Sequence, residues 1–194
     1  IAALMLLIAG EFIKALRTAA QNRLLQKKVY LDTATGLPNK NKCEEILNDP
    51  APVGEGVGVC SFDLNNLRRI NNSLGHEAGD AYIRRFAVCL REAVPGEHFV
   101  GRDGGDEFLA VTQGLDRAGM QACLNSVRQK MAEESKNYPD TPLSYGVGFA
   151  LASEHPGSTM RELFMLADKN MYINKNHIKR EEAAAEKRLN YRLL

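Results

Sequence analysis

Of everything in this 194-residue chain, the string Gly104-Gly105-Asp106-Glu107-Phe108 most narrows what it can fold into. Glu97-His98-Phe99-Val100-Gly101-Arg102 precedes it and Phe108-Leu109-Ala110-Val111-Thr112 follows, both extended-reading segments. A hairpin is expected there, turning on the glycine pair because glycine enters left-handed turns easily. The two carboxylates then stand at the hairpin tip. A Gly-Gly pair marks many ordinary hairpins. The full string arises by chance about once in ten thousand chains of this length at average composition, so it points to chemistry as well as to a turn.

The segments around the hairpin fill in a domain. Residues from about 3 to 31 read as one long helix, which Asp32-Thr33-Ala34-Thr35-Gly36-Leu37-Pro38-Asn39 breaks with turn formers. Cys43, Ile46 and Leu47 mark a short helix, and Val57 to Asp63 reads as a buried strand with Asp63 at its carboxyl end. Leu67, Ile70 and Leu74 give a helical face stopping at Gly75; Ile83, Phe86, Leu90 and Val94 give a longer one stopping at Pro95-Gly96. Beyond the hairpin, Met120, Cys123, Val127 and Met131 mark a helix, Leu143 to Ala150 a strand, and Met160, Leu163, Phe164, Ala167 and Met171 a further helix. The order implies an α+β sandwich, a sheet covered on one face by helices. The expected units are an N-terminal helix over 1–31, a catalytic domain over 32–179 and a solvated helical tail over 180–194.

Lysine plus arginine number 25 against 24 aspartates and glutamates, so no global basic field exists to recruit nucleic acid. Anion binding must be local. Cys43, Cys60, Cys89 and Cys123 lie far apart, without zinc-type spacing to any histidine, and read as buried thiols of a reducing cytosol. The chain starts on an apolar run, Ile1 to Ala9, too short to span a bilayer, followed by Lys14, Arg17, Arg23, Lys27 and Lys28. Three readings stand: the cytosolic end of a membrane helix, a connector to an upstream sensor, or a core helix docked on the domain. The first two imply a missing input module and a cytoplasmic domain, the first with the full-length protein anchored in the inner membrane.

Asp63 at a strand end and Asp106 with Glu107 at a hairpin tip are costly to cluster unless a cation is shared among them. A hard divalent ion suits them: Mg²⁺, or Mn²⁺ in its place, takes one or two carboxylates plus nucleotide phosphates. Leu64-Asn65-Asn66-Leu67 opens a helix directly after Asp63, and its free amides can cradle those phosphates. Taken singly, Asp63 reads as a helix cap and Asp106 as a turn residue. Taken jointly, they read as a triphosphate site. Asn71, His76 and Asp80 fall between two helical faces. Asp80 with Asn71 can complement guanine, the carboxylate accepting from N1–H and the exocyclic amine; the competing reading is that Asp80 caps the helix of Ile83 and that His76 is structural. Lys175 and Lys179, one turn apart, reach for phosphate oxygens or are simply solvated.

These motifs, in this order from about Asp32 to Lys179, make the chain resemble the GGDEF-domain diguanylate cyclases. Asp32 to Asn39 looks like the family's opening motif, Asp63 to Asp80 like its phosphate and guanine segment, and Ala167-Asp168 with Met171-Tyr172 and Lys175 like its closing helix. The resemblance implies a ferredoxin-like sheet akin to nucleotidyl-cyclase and polymerase palm domains. It further implies a homodimer in which each domain holds one GTP and the product is cyclic di-GMP. By position, Asp63, the Leu64 carbonyl and Asp106 would hold Mg²⁺ or Mn²⁺, and Asp106 or Glu107 would help deprotonate the attacking hydroxyl. Asn71, His76, Asp80, Arg68, Lys175 and Lys179 would bind substrate. Departures are Ala34 for a usual Leu, Asn65 for a frequent second Asp, and Asp103 where an aromatic is common. The family's Arg-x-x-Asp product-inhibition motif would fall at Pro95-Gly96-Glu97-His98 and is absent, so no feedback inhibition through that site is expected. A GTP-binding domain without turnover and a single-nucleotide cyclase are the competing functions.

Overall fold

The computed structural model describes residues 10–18 and 29–192, with side chains described through Asn176. Residues 10–18 and 29–30 are helical and Leu31 instead bridges to Pro38; the remaining residues of the expected N-terminal helix lie outside the described residues. The elements are α1 (Lys40–Leu47), β1 (Val57–Leu64), α2 (Leu67–Leu74), α3 (His76–Ala93), β2 (Phe99–Arg102), β3 (Glu107–Gln113), α4 (Arg117–Asn137), β4 (Tyr145–Leu151), a 3-10 turn (Ala152–Glu154) and α5 (Met160–Arg192). No helix among the described residues is long and apolar enough to cross a membrane.

The strands lie in the order β2-β3-β1-β4, every neighbour antiparallel. β1 and β2 therefore run the same way with β3 between them, and β3 and β4 the same way around β1. That is the ferredoxin-like arrangement of two split β-α-β units. Helices cover both faces of the sheet, not the single face expected. Cys60, Phe62 and Leu64 of β1 point toward α3 and α4, where Phe86 meets Phe62, Phe108 and Tyr145 at ring separations of 6.3, 4.8 and 5.5 Å. Val57 and Val59 point the other way and share a second core with Leu47 of α1 and Leu163 and Ala167 of α5. Burial on both sides is why β1 reads as a nearly unbroken apolar run.

Local chemistry sets the element ends. The Asn39 side chain accepts from Lys42 N at the start of α1, and Asp116 accepts from Gly119 N at the start of α4. Thr159 and Glu162 cap α5 reciprocally: Glu162 Oε2 accepts from Thr159 N at 2.8 Å and Thr159 Oγ1 from Glu162 N at 3.3 Å. Gly75, at φ +87°, alone separates α2 from α3. All four cysteines are free; Cys43, Cys60 and Cys89 are buried core residues, and burial pushes the Cys43 thiol up to about 12.

α5 approaches the sheet through a notch of small residues. A methyl group on Gly148 would lie 2.0 Å from Met171 N and 2.3 Å from Ala167 O, so only glycine admits the helix there. Asn170 and Asn174 then donate to the Phe149 and Val147 carbonyls at 3.0 and 3.1 Å, covering the edge strand.

Candidate active site

The β1–β3 ladder carries the site. Asp63 faces Glu107 across the strands, and beyond that pair Leu64 N donates to Asp106 O at 2.8 Å. The two acidic stretches are thereby fixed side by side at one end of the sheet. Asp63, Leu64, Arg68, Asp106 and Lys175 line one cleft of about 750 Å³, within the range of small-molecule sites. Lys175 Nζ sits on Asp63 Oδ1 at 2.5 Å, and both side chains are about four-fifths shielded from solvent. Lys175 is thus an engaged residue, placed there by the seat of α5 on Gly148.

The surroundings of Glu107 define the electrostatics. Burial first, then the charges of Asp106, Asp103, Asp63 and Asp168, raise its carboxyl above the ordinary value of 4.5. Asp168 is held by a hydrogen bond from Ser61 Oγ at 3.2 Å. Arg161, Asp168 and Lys175 recur every seven residues along one line of α5, facing in turn Glu44 of α1, Ser61 and Asp63. That line follows from the helical repeat once the helix is known to lie on the sheet. Asp168 has a place in this acidic end that its motif alone did not assign.

The hairpin turns differently from expectation. Neither Gly104 nor Gly105 has a positive φ. Gly104 lies close under the Glu107 side chain instead: a methyl group there would lie 2.7 Å from Glu107 Oε2, so that carboxylate would have to shift. Arg102 holds the turn: its Nε and Nη2 donate to the Gly104 and Gly105 carbonyls at 3.1 and 2.8 Å, and its Nη1 donates to both Asp32 oxygens at 3.0 and 3.2 Å. Asp32 also closes the opening turn by accepting from Thr35 N and Oγ1. Burial pushes the Asp32 carboxyl up, but the Thr35 and Arg102 hydrogen bonds and the guanidinium charge outweigh it and hold the group below 3.8. Both residues stood in plain view in the sequence, but only the fold makes them partners.

The start of α2 forms another wall. Asn66 takes a left-handed conformation, φ 65° and ψ 0°, and stands at the N-cap of α2 without a side-chain hydrogen bond to the first amides. Asn66, Leu67 and Arg68 all line the cleft. Asn65, which departs from the Asp that the resemblance leads one to expect, donates to Ser144 Oγ at 3.0 Å, and both residues line the cleft. The Tyr82 hydroxyl fixes the same loop, accepting from Ser144 N at 3.0 Å and donating to Pro142 O at 3.2 Å. Arg128 of α4 adds a third cation to the cleft lining, which its place in an ordinary amphipathic helix did not signal.

Other expected residues are placed elsewhere. Asn71 lies in α2, and His76 and Asp80 lie in the first turns of α3; none lines the cleft. Gly75 is the cap of α3, so the reading of Asp80 as its cap is corrected. A methyl group on Gly79 would lie 1.8 Å from Asn71 Oδ1, so Gly79 makes room for that amide. The Lys179 side chain lies outside the described residues. Asp103 lines a separate cavity of about 310 Å³ with Asp32, Lys40 and Arg102; burial and the Glu44 charge raise its carboxyl, and its Oδ1 is buried without a hydrogen-bond partner.

Among the described residues no group of three or more His, Cys, Asp or Glu side chains is gathered to hold an ion. Asp63, Leu64 and Asp106 line the cleft together, bringing two carboxylate residues and backbone to it, and a cation, Lys175, already rests on Asp63. That hard-oxygen set suits an ion whose remaining ligands come from phosphates and water.

The family model for "Diguanylate cyclase, GGDEF domain" matches residues 29–181. The cyclic di-GMP phosphodiesterase PdeB of Shewanella oneidensis is 33% identical over 174 residues, covering 83% of this chain and 19% of that protein. The diguanylate cyclase DgcP of Escherichia coli is 28% identical over 171 residues, covering 85% of this chain and 49% of that protein. This chain thus spans from about a fifth to half the length of these relatives. The coiled coil and GGDEF domain of DgcB from Caulobacter crescentus, solved in complex with c-di-GMP, superposes with a TM-score of 0.73 at 19% identity, covering 90% of this chain and 95% of that one; at that identity the likeness is one of fold.

Proposed function

The chain belongs to the GGDEF-domain family of diguanylate cyclases, and on that footing we propose that it condenses two GTP molecules into cyclic di-GMP and two pyrophosphates. The observation that carries the reading is the convergence of Asp63, Leu64 and Asp106 on one cleft beside Lys175 and the uncapped start of α2. Asp63, the Leu64 carbonyl and Asp106 would hold Mg²⁺ or Mn²⁺. A divalent ion held there would supply charge neutralisation for the phosphates and would lower the pKa of the 3′-hydroxyl that attacks the α-phosphorus of the other GTP.

The residues of the chain supply the rest. The first amides of α2, Arg68 and Lys175 hold phosphate oxygens, with Lys179 one turn beyond Lys175. Glu107, whose carboxyl is raised by burial and by its acidic neighbours, takes the hydroxyl proton, with Asp106 beside it. Asn71 and Asp80, on the helices next to the cleft, read the guanine edge, with His76 nearby. One domain binds one GTP, so the active form is a homodimer, its pairing set by the N-terminal helix and an upstream module. GTP chemistry places the domain in the cytoplasm, whether or not the full-length protein is anchored in the inner membrane.

The test is product analysis by mass spectrometry after incubating an enforced dimer with GTP and Mg²⁺. Cyclic di-GMP from the parent and none from Asp106→Ala is the expected result. Tight GTP binding without turnover would instead mark a silent nucleotide-binding domain, and a cyclic mononucleotide would mark a different cyclase.

A further inference from the structure

Among the described residues, the Lys175–Asp63 pair is the ion pair made by the carboxylates at the acidic end of the sheet. The charges of Asp63, Asp106 and Asp168 all bear on Glu107 there, and Lys175 reaches Asp63 Oδ1 at 2.5 Å. Arg161, two positions back on the same line of α5, is engaged by Glu44 and Asn48 at 2.5 and 2.7 Å. The lysine backbone is fixed by the Gly148 seat and by the Asn174 hydrogen bond to β4, while a lysine ammonium is carried on a flexible four-carbon stem with rotatable donors. Asp63 is also the carboxylate that the proposed reaction assigns to the metal.

We propose that Lys175 is the resident counter-ion of this site, holding the metal's place on Asp63 until nucleotide arrives and then transferring to the phosphates. The inference rests on the proposed function. An ammonium and a divalent ion on one carboxylate oxygen repel strongly at such range. In the nucleotide-free domain Lys175 therefore opposes metal binding. Once a triphosphate enters, it accepts the ammonium, and the opposition becomes attraction. Metal and nucleotide then bind cooperatively, and by linkage each tightens the other by the same factor. The device keeps an acidic site neutralised without a bound ion.

The experiment is a Mn²⁺ titration of the nucleotide-free chain, read by the loss of the free-ion electron paramagnetic resonance signal. Lys175→Met should tighten Mn²⁺ binding by roughly tenfold, as expected when a like charge beside an ion site is removed. The gain should vanish when Asp63→Asn is combined with it. Adding a non-hydrolysable GTP analogue should tighten Mn²⁺ binding to the parent chain by a factor that shrinks in Lys175→Gln, a second variant that guards against a folding defect in the first. Unchanged or weaker Mn²⁺ binding by folded Lys175→Met, a gain that survives Asp63→Asn, or a coupling unaffected by Lys175→Gln would each overturn the proposal. None of these readouts needs turnover. Cyclic di-GMP synthesis without the Mn²⁺ effect sinks the counter-ion role alone, and the Mn²⁺ effect without synthesis sinks the cyclase reading alone.

Discussion

Arg102 and Asp103 are adjacent in sequence and serve opposite ends at the residue scale. Arg102 donates to two turn carbonyls and to Asp32, so the acidic hairpin is braced against the opening turn. Because the Asp32 carboxyl is held below its ordinary value, it contributes stability that is present above 3.8 and lost as pH falls below it. Asp32→Asn should therefore unfold at lower urea than the parent at pH 7, with the gap narrowing at pH 3; a gap equal at both pH values would refute the pairing. Asp103 works the other way. Its raised carboxyl and orphaned Oδ1 make its charge a liability at neutral pH. Asp103→Asn should raise stability by on the order of 1 kcal/mol at pH 7, with little gain at pH 3, measured by urea unfolding. A loss of stability at pH 7 would show that the charge has a partner. The sequence marked Asp103 as a departure near the metal, whereas the fold directs it into a different cavity.

At the scale of elements, the seat of α5 decides where its charged line falls. Helical spacing in the sequence identified Met160, Leu163, Ala167 and Met171 as an apolar face. It could not identify Gly148 as the position where the helix backbone touches the sheet, since that depends on which strand the helix crosses. A methyl group there collides with main-chain atoms that cannot rotate away. Gly148→Ala should cost about 3 kcal/mol or more, read as a fall in the urea midpoint, and should weaken nucleotide binding by displacing Lys175. An unchanged midpoint would mean that α5 does not lie where described. The Asn71-to-Asp80 segment divides the same way. The spacing of Leu67, Ile70 and Leu74 placed the helix end at Gly75, where α2 does stop, but it could not show that the Asn71 side chain packs against Gly79 of α3.

For the whole molecule, the proposed chemistry needs two domains, so activity should rise with protein concentration more steeply than linearly and become linear once the chain is fused to a stable dimerising coil. Activity strictly proportional to concentration in the dilute unfused chain would exclude the two-domain reaction. Element order, the hairpin and the chemical character of Asp63 and Asp106 were legible in the sequence, because periodicity and motif spacing are local properties. The double-faced cover was written there too, in the nearly unbroken apolar run of β1, but the element order alone suggested one covered face. Only tertiary structure could decide that Leu64 N meets Asp106 O, that Arg102 clasps Asp32, and that Lys175 rests on Asp63. Those contacts join residues distant along the chain. Their geometry is set by strand register and helix seating, which arise when two cores close on opposite faces of one sheet.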